Sequence, residues 1–496
     1  MKNKDVENNS IIRTQTVGRG ALHLTIAKIT TTVIALLSSM LLSRFRTLEE
    51  YGTYSQMLTV ITLATSLFMM GLPNSCNYYL ARADSSDERR NFLSVYYSLN
   101  TILCMVIGIV LACSIPLIES YFDNPNIHQF GYFLLLYPFA YITVSGISNV
   151  LVVYGRTKKL MLINVLTSLV ALASVIIIQL LKASFADYLK LYLAGNCIIA
   201  LWNYSIVYRL ESDIRPAIDV GLIKKIFTYS IPIGLATLVG TVDIELDKLM
   251  IGKMMDPASF ALYSNAGKEL PLTMISASLT AVLLPQMASK LKRNEVDSAI
   301  GLWGKTIELS YVAMCFFATT LFVFAPQIMT ILYSEKYLPG TNVFRVYALV
   351  LLLRTTYFGI VLNSSGKTKF VFWSSVITLG VNIVLNIILY YLLGFTGPAI
   401  ATFISIAVCD VCQLAITCRM LHISMRQIFP WKHILQITVA NIVWGILAYL
   451  IIRTAGWKTD NMSIIFCIIT GAVIASVYLV FFRKKLISLW RSLNHH

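Results

Sequence analysis

Charge is what this chain has least of. Only 13% of its 496 residues are Asp, Glu, Lys or Arg, against about 25% in soluble globular domains, so a water-solvated surface cannot be built over most of its length. Acids are the rarer sign, 24 against 40 basic residues. The six histidines include two at the extreme C-terminus, and no HExxH, paired aspartates or Ser-His constellation stands out. No catalytic residue and no enzymatic activity is therefore expected. The nine cysteines are scattered, mostly inside apolar runs. Cys409, Cys412 and Cys418 form the closest set and have no histidine at ligand spacing, which argues against a metal site, a disulfide framework or a cofactor. The polar stretch 1–22 lacks a short apolar core followed by a small-residue cleavage site, so no removable signal peptide is expected and the first apolar run should stay in the protein.

What fills the chain instead is apolar: 57% of residues are hydrophobic and mean hydropathy is +0.72. A helix rises about 1.5 Å per residue, so about twenty apolar residues cross a hydrocarbon core of about 30 Å. Runs of that length recur at 23–43, 55–80, 92–116, 130–153, 160–182, 187–208, 224–243, 260–288, 306–332, 341–362, 370–393, 397–418, 434–453 and 462–482. Gly394, Gly397 and Pro398 divide what would otherwise be one overlong run. The reading is an all-α integral membrane protein of about 14 transmembrane helices in a phospholipid bilayer.

The net charge of +16 does not form a basic face beside aromatic platforms, so nucleic acid is not an expected partner. It collects in alternate loops instead. One set holds Arg82, Arg89, Arg90, Arg156, Lys158, Lys159, Lys224, Lys225, Lys290, Lys292 and Arg293, continuing to Lys432. The other holds little beyond Arg44, Arg46, Lys182, Lys253, Lys336, Arg453 and Lys458. By the positive-inside rule both termini are expected in the cytoplasm.

An internal repeat is visible. Arg44 and Tyr54-Ser55 correspond to Lys253 and Tyr263-Ser264, 209 positions on; Gly155-Arg156-Thr157-Lys158 corresponds to Gly366-Lys367-Thr368-Lys369, 211 positions on. An even number of helices separates the matches, so two like-oriented halves are expected. The organisation read is a tail 1–22, a six-helix half 23–208, a linker 209–223, a second half 224–420, two further helices within 434–482 and a basic tail 483–496. Ser365-Gly366-Lys367-Thr368 imitates a nucleotide-binding loop, but Val361 stands where the first glycine is required.

Ionisable groups deep in a span are costly and by default functional. Lys28 lies about 8 Å inside the first helix, where cavity lining and snorkelling are both open. Lys268 and Glu269 precede Pro271, which favours a break mid-span. Arg345 and Arg354 are nine residues apart and so on opposite faces; Arg354 is nearer the midplane. Asp243 and Asp247 share a face, read either as a proton or gate site or as a solvated helix end, while Glu245 and Lys248 are spaced to pair. Asp410 stands alone about 12 Å from a helix end, a proton carrier or a hydrogen-bonded buried acid. Basic groups in a lumen suit a phosphate-bearing or otherwise acidic cargo.

Ser230-Ile231-Pro232, Asp247 to Gly252, Ala261-Leu262-Tyr263-Ser264, Glu50 to Tyr54, Leu284-Pro285-Gln286-Met287 and Tyr333 to Tyr337 together resemble polysaccharide exporters of the multidrug/oligosaccharidyl-lipid/polysaccharide superfamily, across about residues 20–485. The resemblance implies two parallel six-helix repeats plus two C-terminal helices in a V-shaped exporter. It implies a flippase moving undecaprenyl-pyrophosphate-linked oligosaccharide repeat units across the bacterial inner membrane by alternating access, for O-antigen, capsule or exopolysaccharide. Lys28, Lys268 and Arg354 would then contact pyrophosphate, and Asp243, Asp247, Glu269 and Asp410 would serve coupling or gating with a proton or sodium ion. Partners would be the lipid-linked oligosaccharide and the polymerase and chain-length proteins of the pathway, around a monomeric transporter. The alternatives are a lipid II flippase, a multidrug or cation antiporter of the same superfamily, and a membrane-embedded polymerase or ligase.

Overall fold

Helix boundaries follow local chemistry. In the computed structural model, which describes residues 17–454 except 212 and 269, and 469–471, 473–478, 480, 482 and 483, α1 (Val17–Phe45) gives way to α2 (Leu48–Met69) at a capping box. There the Glu50 amide donates to Thr47 Oγ1 over 3.1 Å, and the Thr47 amide donates to Glu50 over 3.0 Å. Such a box satisfies two amides that have no partner inside the helix. Ser184 with Asp187 caps α8 (Phe185–Leu210) by a second such box, while Ser85 and Asp219 each accept one amide at the start of α4 (Ser86–Cys113) and α9 (Val220–Met254). Between them lie α3 (Leu72–Arg82), α5 (Ile115–Phe122), α6 (Gly131–Val153) and α7 (Thr157–Leu180).

The second half continues with α10 (Pro257–Ala266), α11 (Met274–Lys292), α12 (Val296–Val323), α13 (Ala325–Tyr333), α14 (Thr341–Leu353), α15 (Ile360–Ser364), α16 (Thr368–Leu393), α17 (Gly397–Leu421) and α18 (Trp431–Thr454). No strand occurs among the described residues. By length and composition ten helical stretches there can cross a membrane, or eleven with the bent pair α2 and α3. One of those stretches, Thr368–Leu421, is the hairpin of α16 and α17, turned at residues 394–396 as Gly394, Gly397 and Pro398 require. The expected span 462–482 lies largely outside the described residues.

The repeat is visible in the element order. α5 begins at Ile115 with a proline in its first turn, and α13 at Ala325, 210 residues later, does the same; α7 begins at Thr157 and α16 at Thr368, 211 later. The halves differ in where they break. α6 is continuous through Pro138, whereas its counterpart is interrupted between α14 and α15. The chain also forms two compact units, residues 1–261 and 262–496, so α9 packs with the first unit although it opens the second repeat.

Within the first unit, α2 and α3 meet at 45°. Met70 and Gly71 carry φ of 41° and 72°, left-handed values that end one helix and start another. The bend seats on α9 where Pro232 interrupts the helix's own hydrogen bonding. A Cβ on Gly71 would lie 2.8 Å from the Gly234 nitrogen, and one on Gly234 would strike the Met70 carbonyl. At one end of the same unit, Arg89 Nε donates to Glu211 Oε1 over 2.9 Å and the Tyr154 hydroxyl to the same oxygen over 3.0 Å, tying α4, α6 and the end of α8. Both charged side chains are at most 8% exposed.

In the second unit α12 is central. Trp303 is fully buried and its Nε1 donates to Thr356 Oγ1 over 3.0 Å, holding the segment between α14 and α15. α18 docks on α12 through His433 and Glu308, 3.0 Å apart, and through the Tyr311 and Thr438 hydroxyls at 2.8 Å. The Tyr478 hydroxyl donates to the Val312 carbonyl over 2.9 Å. Polar glue of this kind suits helices whose alternative neighbours are lipid tails.

Two outcomes test these contacts. Glu211→Ala strands a buried guanidinium and should lower stability by about 3–5 kcal/mol, whereas Tyr154→Phe removes one hydrogen bond and should cost about 1 kcal/mol. Thermal unfolding in detergent should rank them in that order, and equal losses would refute the buried-pair account. Gly234→Val should cost at least the about 1–3 kcal/mol of an overpacked core, and Gly240→Val, where a Cβ meets nothing within 4 Å, should be much milder by the same assay.

Candidate functional site

Breaks in spans are where backbone polar groups come free, and they are tolerated only against protein or water. Among the described residues, two breaks in the second unit carry a cation. Lys268 follows the end of α10, with Pro271 opening a short 3-10 turn before α11, so the mid-span break expected from Pro271 is present. Arg354 is the C-terminal cap of α14, its amide bonded to the Val350 and Leu351 carbonyls at 3.2 Å. Both side chains are exposed. A cation at the C-terminal end of a half-helix is favoured by the unpaired carbonyls there, which explains how each charge is tolerated inside a span.

The two breaks adjoin. Lys268 lines a cleft with Tyr347, Val350 and Leu351, the turn that leads to Arg354. Arg354 in turn acts electrostatically on Asp410 of α17, which packs on α14. Asp410 is half-buried, and its Oδ2 has no hydrogen-bond partner among the described residues. Lys268, Arg354 and Asp410, chosen separately from the sequence, therefore belong to one neighbourhood in the second unit. Glu269 lies outside the described residues. Arg345 points elsewhere: its guanidinium lies 5.6 Å from the Phe322 ring and donates to the Phe322 carbonyl.

The remaining candidates are in the first unit. Lys28 is exposed on α1, and its carbonyl accepts the Thr31 and Thr32 hydroxyls. On α9, Glu245 and Lys248 form the ion pair their spacing predicts, and Thr59 Oγ1 also donates to Glu245 over 3.2 Å. Asp247 is 2% exposed and Asp243 half-buried, so this end of α9 is not a solvated terminus. Asp243 and Asp247 both have interaction partners.

Sequence reading passed over a seam between α16 and α17. Ser374, Thr378, Asn382 and Asn386 are all buried at four-residue spacing on α16, and Gln413 of α17 donates to Ser374 Oγ over 3.0 Å. The signal was there as an i, i+4 run of uncharged polar residues, which a search for charges overlooks. Arg89 with Glu211, and Glu308, were missed because partners 122 residues apart leave no local pattern.

Comparison with known proteins agrees with this architecture. The chain is 25% identical over 381 residues to an uncharacterized membrane protein of Methanocaldococcus jannaschii, covering 72% of this chain and 87% of that one. It is 22% identical over 261 residues to a probable low-salt glycan biosynthesis flippase of Haloferax volcanii, 51% of this chain and 54% of that one. Among solved structures, a lipid II flippase, MurJ, in an inward closed conformation superposes with a TM-score of 0.70 over 93% of this chain and 99% of its own, at 15% identity. An inward-facing multidrug resistance transporter of the MATE family matches with a TM-score of 0.65 over 81% and 98%, also at 15% identity. These structures show the shared transporter fold. Residues 41–342 match a family defined as polysaccharide biosynthesis proteins, and the chain belongs to that family.

Proposed function

We propose that this multi-pass membrane protein is a flippase for lipid-pyrophosphate-linked oligosaccharides, feeding synthesis of a surface polysaccharide such as O-antigen or capsule from the cytoplasmic membrane, with both termini cytoplasmic. The observation that carries the reading is the pair of exposed cations, Lys268 and Arg354, at adjoining helix breaks in the second unit. Guanidinium and ammonium donors at a water-poor site complement phosphate oxygens strongly. Lys28 is assigned to the same task in the first unit. Family membership and the glycan flippase among the relatives support a sugar-bearing cargo.

The reading also gives the acids a task. Asp410 beside Arg354 forms a couple in which occupancy of the cation by phosphate changes the field on the carboxylate. Binding and release of a coupling proton or sodium ion would thereby be linked to cargo, in the sense that each ligand alters the affinity of the other. Asp243 and Asp247, on the helix that carries Pro232, are assigned to coupling or gating in the first unit. A multidrug exporter of cationic compounds is the competing cargo class, and exposed cations at the breaks disfavour it.

In proteoliposomes, Lys268→Ala and Arg354→Ala should each slow flipping of a fluorescent lipid-pyrophosphate-linked oligosaccharide by about tenfold or more, the loss of about one charge-assisted hydrogen bond. Unimpaired flipping by both variants would remove the cation-pyrophosphate reading. Asp410→Asn should keep binding of that substrate and lose the acceleration produced by an imposed ion gradient; full retention of gradient dependence would exclude Asp410 from coupling.

A further inference from the structure

The first unit exposes two chemically different surfaces. Along their middle stretches α7 exposes Leu162, Leu169, Ile176 and Ile177, with Lys158, Lys159 and Gln179 exposed only toward its ends, and α4 exposes Ile102, Met105 and Ile109, as lipid-facing helices require. On α3 they are Asn77, Ala81 and Arg82. Steps of about 100° put Asn77, Tyr78, Ala81 and Arg82 on one face of α3, while Leu72, Cys76 and Leu80 point into the core. An amide and a guanidinium cannot be left against hydrocarbon without large cost, so this face of α3 looks into water.

The face continues onto α6, which packs against α3. Asn77 Nδ2 donates to Asn149 Oδ1 over 3.2 Å, an exposed contact, and Ser145 one turn away is exposed as well. The amide contact that joins α16 to α17, Gln413 to Ser374, is buried. The Asn77–Asn149 contact is open to solvent, and each amide keeps hydrogen-bonding capacity beyond that one bond.

Arg82 is held in place rather than free. Its guanidinium lies 3.9 Å from the centre of the Tyr78 ring, and Tyr78 is braced by Tyr229 of α9 at 4.3 Å between ring centres. It forms no ion pair among the described residues. A planar five-donor group fixed by stacking loses little freedom when it binds.

We propose that the exposed face of α3 and α6, made by Asn77, Arg82, Ser145 and Asn149 with Tyr78 as the support of Arg82, binds the sugar head group of the cargo. The inference rests on the lipid-linked oligosaccharide reading and adds where the glycan is recognised. Paired amides and a hydroxyl present both donors and acceptors, which match vicinal hydroxyls and acetamido groups. The pinned guanidinium supplies planar donors to ring hydroxyls or a sugar carboxylate. Nothing on this face is anionic, so a cationic guest finds no partner.

The test compares two probes on purified full-length protein in nanodiscs: farnesyl diphosphate, and the same lipid diphosphate carrying N-acetylglucosamine. Wild type should bind the sugar-bearing probe more tightly, by about fivefold for each hydrogen bond the face contributes. Asn77→Ala, Asn149→Ala and Arg82→Ala should each erode that preference while leaving affinity for farnesyl diphosphate within about twofold. Asn77→Gln, which keeps the amide, should retain more of it than Asn77→Ala. Equal affinity of wild type for both probes, or variants that weaken both probes alike, would overturn the sugar-binding face while the lipid-diphosphate reading stands. Failure of wild type to bind either probe would overturn both.

Discussion

Hydrocarbon solvates neither charge nor unpaired backbone, and the arrangement of this protein follows from that one restriction. Among the described residues, three settlements of charge stand out. Arg89 and Glu211 are paired and sealed, with Tyr154 on the shared oxygen. Glu308 is buried against a histidine of the helix it helps to dock. Lys268 and Arg354 sit at interruptions, where half-helix carbonyls and exposure together make a cation tolerable. The last settlement leaves the charged side chains exposed, and for that reason the breaks rather than the buried pairs are the candidate site.

The same restriction explains why the halves diverge although their elements keep register. A continuous α6 in one and a chain broken between α14 and α15 in the other are two uses of one repeat. The break needs support that a regular helix does not, and Trp303 supplies it by bonding Thr356 within a fully buried cluster. The first half keeps its own irregularity at Met70 and Gly71, where two backbones meet too closely for a side chain. The irregularities thus differ in kind: one presents charge, the other brings helices into contact and turns the polar face of α3 away from the core.

The polar face of the first unit and the cations at the breaks of the second, each taken by itself, suit different chemical groups. Phosphate calls for charge and few competing waters. A glycan calls for neutral donors and acceptors in both senses, with little net charge. Each surface is built from the residue types its own ligand chemistry favours.

Sequence alone determined the membrane class, the approximate spans, the offset of the repeat and the break beside Pro271, because hydropathy, proline and glycine act over a few residues and leave their mark locally. It also pointed to Lys268, Arg354 and Asp410 one by one, since a charge in an apolar run is conspicuous wherever it stands. Only the tertiary structure decided that these three adjoin, that Asp247 is buried, that Arg89 spends its charge on Glu211, and that Asn77 meets Asn149 in the open. Those facts depend on which helix faces come together across gaps of dozens to more than a hundred positions. A hydrophobic period specifies that a face is turned inward without specifying which partner it will meet there.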